Sequence, residues 1–210
     1  MSKIRDLIIL FFKQSWLLLV CSFLFGLMIA LANGAWSGRI AENEKAKLGS
    51  LMRELISKAE TFDVAIKDME ITDDRGTKTK TDVYKALDSN GATIGFAFAA
   101  SGAGFADEIR LVVAVDAKCE KLFGYKVLKS NETPGFGDKI KDDFFRNQFA
   151  GAPAGKFELV KTGNAGEIDE NIVAISGATV SSTAMIKIFN TYIDSVKRQL
   201  KEKGFIDNGK

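Results

Sequence analysis

Residues 171–183 read Asn171-Ile172-Val173-Ala174-Ile175-Ser176-Gly177-Ala178-Thr179-Val180-Ser181-Ser182-Thr183. The β-branched run at 171–173 reads as a strand end, and beyond the stretch Ala184, Ile188, Tyr192, Val196 and Leu200 recur at helical spacing. The stretch is therefore a strand–turn–helix junction, with a helix expected over 181–200. Gly177 can adopt positive φ and admits close approach to the backbone. Ser181 or Ser182 is expected to cap the helix. Such a junction aims unpaired backbone N–H groups and the positive end of a helix dipole at one point, where a phosphate is a natural occupant. A plain capped helix after a tight turn would show the same pattern, so the stretch alone leaves both readings open.

Upstream lies Glu132-Thr133-Pro134-Gly135-Phe136-Gly137-Asp138. Pro followed by Gly is a turn signature, and two glycines around Phe136 make an exposed, backbone-rich loop. Residues 142–149 are expected as a short amphipathic helix anchored by Phe144, Phe145 and Phe149, and 151–155 as a loop before a strand at 157–161. Nearer the N-terminus, Asn90-Gly91 separates two apolar runs, 83–87 and 92–100, as a hairpin turn does. Gly102-Ala103-Gly104 reads as loop, 109–116 as a strand and 121–128 as its antiparallel partner. The glycine pair lacks a third glycine opening a helix, so no dinucleotide fingerprint is present. Residues 73–78 are a polar turn. The sum is an α+β domain.

Residues 16–32 carry no charged side chain, and 8–12 are also apolar. At 1.5 Å per residue the segment can cross about 30 Å of hydrocarbon. Trp16 and Trp36 flank it as interfacial aromatics do. Ala30-Leu31-Ala32 has the small-x-small form of a signal-peptide cleavage site, but the apolar run is long for that role, so a retained anchor is expected. Lys3, Arg5 and Lys13 precede the run and Arg39, Lys45 and Lys47 follow it, giving only a slight bias of orientation. Leu48, Leu51, Met52, Leu55 and Ile56 form a one-sided stripe, as on a stalk helix that docks on the domain. The expected organisation is an anchor at 1–36, a stalk at 37–62 and one domain at 63–210.

Composition removes several chemistries. The chain of 210 residues has no histidine, which excludes His-based nucleophile systems and His-ligated metals. Its two cysteines, Cys21 and Cys119, supply neither a zinc nor an iron–sulfur site, and no metal site is expected. A net charge of +2 with interspersed signs argues against a nucleic-acid surface. Any redox chemistry must come from a bound cofactor.

With the 132–138 loop and the 176–179 junction both in hand, the chain resembles the RnfG family, the G subunits of Rnf ion-translocating electron-transport complexes. That family is related to the C subunit of the sodium-pumping NADH:quinone reductase. The likeness extends from the anchor through the 83–98 hairpin, Glu-Thr-Pro-Gly-Phe-Gly and Phe149-Ala150-Gly151 to Ser-Gly-Ala-Thr before the last helix. The resemblance implies a single N-terminal transmembrane helix followed by a mixed α/β FMN-binding domain on the periplasmic side of the bacterial inner membrane. It implies FMN attached by a phosphoester to the threonine closing Gly-Ala-Thr, here Thr179, by a flavin transferase that uses FAD. Ser176, Gly177, Ala178, Ser181 and Ser182 would surround the phosphate, with Glu132, Thr133 and Gly135 on a second wall. Implied partners are the other membrane subunits of an Rnf-type complex, the transferase and the lipid bilayer. The implied function is electron transfer within an ion-translocating oxidoreductase, without independent substrate turnover. Val173 stands where the family's attachment motif carries aspartate, and it raises the alternative of an anchored assembly subunit without covalent flavin.

Overall fold

The computed structural model describes residues 2–73 and 76–206, with 2–12 described as helix only. The chain separates into two compact units, Met1–Ala46 and Lys47–Lys210. Helix α1, Ser2–Leu55, runs unbroken through Ala30-Leu31-Ala32, and Lys13–Leu55 contains a stretch long and apolar enough to cross a membrane. Leu17, Phe23, Phe25, Ile29 and Leu31 are exposed along it. The segment expected as stalk, 37–62, is helical only as far as Leu55, and its last two residues already belong to strand β1, Thr61–Thr72.

Within the second unit β1 opens a five-stranded antiparallel sheet. It continues with β2 (Lys78–Leu87), β3 (Thr93–Ala103), β4 (Glu108–Asp116) and β5 (Leu122–Lys129), paired in sequence order. The Asn90-Gly91 hairpin forms as expected between β2 and β3. Asp88 Oδ1 accepts the N–H groups of Asn90 and Ala92, both at 2.9 Å, and Gly91 has φ +77°. The 73–78 turn closes through Asp73 Oδ1 and the Thr77 N–H at 2.8 Å, while Asp74 and Arg75 lie outside the described residues. β3 extends through Gly102 and Ala103, which were expected as loop. Gly102 pairs with Ile109 of β4, and a Cβ on it would stand 2.6 Å from Ile188 Cγ1, so the close approach of the last helix asks for glycine there.

Both faces of the sheet are covered, which explains the unbroken apolar run of β4. Leu111, Val113 and Val115 join Phe96, Phe98 and the final helix in one core. Val112 and Ala114 face the other way, with Ala86, Ala97 and Leu128, under Met52 and Ile56. The one-sided stripe at 48–56 thus lies on the sheet, where Lys47 Nζ also donates to the Leu128 carbonyl at 2.5 Å.

After β5 the chain makes a 3-10 turn, Gly137–Lys141, and a short helix α2, Asp143–Arg146, followed by β6 (Glu158–Val160), β7 (Asn171–Val173) and helix α3 (Thr179–Glu202). The amphipathic helix expected over 142–149 is helical for four residues only. Phe145 and Phe149 are buried but Phe144 is exposed, and Gly151 at φ +86° turns the chain away. Phe149 stacks on Phe189 of α3 at 4.4 Å and meets Tyr125 edge-on at 5.2 Å. The Tyr125 hydroxyl donates to the Ile140 carbonyl at 2.5 Å, and burial pushes its phenol well above the ordinary range.

β6 and β7 pair in parallel. Asn190 of α3 accepts the Phe157 N–H at 2.8 Å and donates to its carbonyl at 2.9 Å. Gln148 makes the equivalent pair with Val173, at 2.7 and 3.3 Å. These side chains replace missing ladder partners and fix where β7 hands over to α3. Phe149→Ala should cost about 3–5 kcal/mol, read by chemical denaturation of the full-length chain.

Candidate functional site at the start of the last helix

The 171–183 junction forms a strand, a turn and a helix, but the helix starts at Thr179 and its N-cap is Ala178, with no side-chain cap bond. The expected serine cap is therefore corrected. Ser181 and Ser182 are the third and fourth helical residues, and both are buried with their hydroxyls engaged elsewhere. Ser182 Oγ donates to the Ala178 carbonyl and accepts the Ile175 N–H, both at 3.0 Å. Ser181 Oγ donates to Glu132 Oε2. The N–H groups of Thr179, Val180 and Ser181 precede the first intrahelical bond, which joins the Ser182 N–H to the Ala178 carbonyl at 3.0 Å. They and the helix dipole define an anion-binding end.

Glu132 lies behind this turn rather than beside the opening. It is 4% exposed, and its Oε1 accepts the N–H groups of Phe105 and Ala106 at 2.9 and 3.0 Å. Two glycines make room for the carboxylate. A Cβ on Gly137 would stand 2.6 Å from Glu132 Oε2 and 2.5 Å from Ser181 Oγ, and a Cβ on Gly104 would overlap Glu132 Oε1. The Pro134-Gly135 pair turns as a type II turn does, with Gly135 at φ +77° and the Phe136 N–H donating to the Thr133 carbonyl at 3.2 Å. The loop is stitched to the β3–β4 turn a second time by Asn131 Nδ2, which donates to Asp107 Oδ2 at 2.7 Å.

These three segments enclose a pocket of about 450 Å3, lined by Phe105, Thr133, Phe136, Gly137 and residues 177–181. Of the residues singled out from sequence, Thr133, Gly177, Ala178, Thr179 and Ser181 come together there. Ser176 and Gly135 are exposed outside the lining, Ser182 is buried in the helix, and Glu132 supports the wall from behind. Phe105 and Val180 were not anticipated. Phe105 is 67% exposed, Phe136 55% and Val180 55%, so three apolar side chains stand open to solvent around the Thr179 hydroxyl. An aromatic directly after Gly104, and a valine off the buried stripe of α3, were the signals available for them. Gly177 has φ +77° and faces Phe136, whose ring would lie 3.4 Å from an added Cβ. A larger groove of about 570 Å3 runs along α3 on the far side of Val180, past Thr183 and Lys187, but Thr179 does not line it.

Elsewhere, Cys119 is buried and its thiol is pushed up to about 11 by that burial, so it stays protonated and chemically quiet at neutral pH.

Comparison with known proteins gives the family. A family model described as FMN-binding domain matches residues 104–194, from the glycine under Glu132 to the middle of α3. The G subunit of the ion-translocating oxidoreductase complex of Methanosarcina acetivorans is 31% identical over 148 residues, covering 70% of this chain and 74% of that protein. The chain belongs to the RnfG family, the G subunits of ion-translocating oxidoreductase complexes. The family's member in Cereibacter sphaeroides is 34% identical over 179 residues, with 79% and 74% covered. The G subunit of the proton-translocating ferredoxin:NAD(+) oxidoreductase complex of Clostridium ljungdahlii is 29% identical over 196 residues, with 93% and 96% covered. The crystal structure of Shewanella oneidensis NqrC shares the fold, with a TM-score of 0.55, 24% identity, and 70% of this chain and 73% of that one covered.

As a family member the chain carries an FMN-binding domain, and the pocket suits such a group. It offers an exposed hydroxyl at a helix N-terminus, N–H donors beside it that have no partner among the described residues, and apolar side chains able to flank a ring.

The loop holding the pocket's outer wall carries its own pH dependence. The Glu108 N–H and the Asn131 amide lower the Asp107 carboxyl below the ordinary aspartate range. A lowered folded-state pKa stabilises the fold above the unfolded value, and that contribution is lost as pH falls through the folded one. The difference in Tm between wild type and Asp107→Asn should therefore be present at neutral pH and close on acidification.

Proposed function

We propose that this protein is a membrane-anchored electron carrier of an Rnf-type complex, with FMN joined through its phosphate to Thr179. The observation that carries the reading is the placement of the Thr179 hydroxyl at the mouth of the pocket, on the first residue of α3. In the attachment step Thr179 Oγ1 bonds to the flavin-side phosphorus of FAD. The phosphoanhydride bond to AMP breaks, AMP leaves and the hydroxyl proton passes to the flavin transferase that catalyses the exchange. The first-turn N–H groups of α3 would hold the phosphodiester charge, and Phe105, Phe136 and Val180 are the apolar side chains available to flank the ring. Bound FMN supplies the one- and two-electron chemistry that the chain's own side chains lack. Covalent attachment keeps the cofactor from being lost where the domain faces the periplasm.

Neighbouring membrane subunits are the electron donor and acceptor, and α1 is the single span in the lipid bilayer that holds the domain beside them. The chain turns over no substrate of its own.

Val173 favours a second reading, an anchored assembly subunit that carries no covalent flavin. Its side chain packs toward Gly163, where an added Cβ would stand 3.2 Å from Val173 Cγ2, and it does not line the pocket. Position 173 therefore lies outside the pocket lining, which supports the first reading.

The two are separated by coexpressing the full-length chain with a flavin transferase. The flavin carrier gives a chain that fluoresces in a denaturing gel and exceeds the polypeptide mass by FMN less water, and Thr179→Val abolishes both. A wild-type chain at the bare polypeptide mass would decide for the assembly subunit.

A further inference from the structure

We propose that Glu132 is the positioning residue of the attachment site, holding the first turn of α3 through Ser181 so that, of the hydroxyls at the helix start, Thr179 alone is presented to the pocket. The inference rests on the reading of Thr179 as the FMN acceptor and adds the device that orients it.

The hydroxyls of the helix start are not equivalent. Ser182 is tied to the Ala178 carbonyl and the Ile175 N–H, Thr183 donates to the Thr179 carbonyl at 2.8 Å, and Ser181 donates to Glu132. Thr179 Oγ1 has no hydrogen bond among the described residues and is exposed at the pocket. Which hydroxyl stays free is decided by the rotation of the first turn about the helix axis. Neighbouring residues of a helix are turned by about 100° from one another. A Ser181 directed inward therefore obliges Thr179, two residues earlier, to point outward.

The inward tether is Glu132. Its carboxylate joins three elements that contribute the pocket walls: the β3–β4 turn through Phe105 and Ala106, the Pro-Gly loop through its own backbone, and α3 through Ser181. No ion pair to Glu132 occurs among the described residues, so a buried carboxylate is matched by neutral donors alone. That is a demanding arrangement, since a buried charge must find directed donors at each oxygen. Gly104 and Gly137 leave it the necessary space. The Glu132 bond adds, at the third residue of α3, a directed tether on the pocket side to the Ser182 and Asn190 bonds and the apolar stripe that seat the helix. Orientation of a nucleophile acts on the rate of bond formation and not on recognition of the acceptor protein.

The test uses the full-length apo chain as acceptor, with a purified flavin transferase and FAD, and intact mass to follow incorporation. Near-UV circular dichroism restricts the comparison to folded variants. Glu132→Ala and Ser181→Ala should each lower kcat about tenfold or more with KM for the acceptor chain little changed. The double variant should be no slower than the slower single one, because both remove the same tether. Ser181→Thr, which keeps the hydroxyl, should restore the wild-type rate, and the Ser181 pair decides the matter if Glu132→Ala does not fold. Wild-type kcat in folded Ser181→Ala, or losses that multiply in the double variant, would overturn the proposal while leaving Thr179 as acceptor. A wild-type chain that takes no FMN at all overturns both readings.

Discussion

A carboxylate removed from water has to be met by donors at both oxygens, and in this domain the donors for Glu132 come from parts of the chain far apart in sequence. Phe105 and Ala106 lie on the turn between β3 and β4, and Ser181 lies on the first turn of α3. Satisfying one buried charge therefore assembles three walls of a pocket that no single element could form. The glycines at 104 and 137 follow from the same constraint, since each borders the carboxylate more closely than a side chain would allow. The exposed apolar groups Phe105, Phe136 and Val180 are carried on the three segments so joined.

The remainder of the domain makes that junction rigid. The sheet has a core on each face, which leaves β3 and β4 little freedom to shift. The aromatic cluster of Tyr125, Phe149, Phe157 and Phe189 seats α3 on it. Gln148 and Asn190 give backbone partners to β6 and β7, so the approach to α3 is fixed as firmly as the helix itself. Attachment of a group at the N-terminus of α3 asks for such a frame, because the geometry of a nucleophile is only as good as the elements that carry it.

What was legible in the sequence was what depends on near neighbours. The Asn90-Gly91 hairpin, the strand pair at 109–128, the apolar span and the helical stripe from Ala184 to Leu200 each show their period or turn residues locally. Strand β1 went unread because register shifts at Val64/Ile66 and Ile66/Met69, with Asp68 at φ +50°, break its alternation. The helix expected at 142–149 was overestimated because its phenylalanines serve two different surroundings. At the site, the strand, turn and helix were readable, but the serines looked like caps. Ser182 turns back to the Ala178 carbonyl and the Ile175 N–H, and Ser181 bonds to Glu132, which lies 49 residues away in sequence and is brought near only by the fold. Phe105 reached the site by the same long-range route.

The claim on which the rest depends is that the pocket at α3 receives a phosphate as a diester through Thr179. Phosphorus NMR of the folded holoprotein across the mildly acid range tests it most directly. A phosphodiester has no second ionisation, so its resonance should hold one position through about pH 6, where a phosphomonoester titrates. A resonance that moves with pH in that range, and is lost when the protein is denatured and washed, would show FMN held without a covalent bond and would contradict the account.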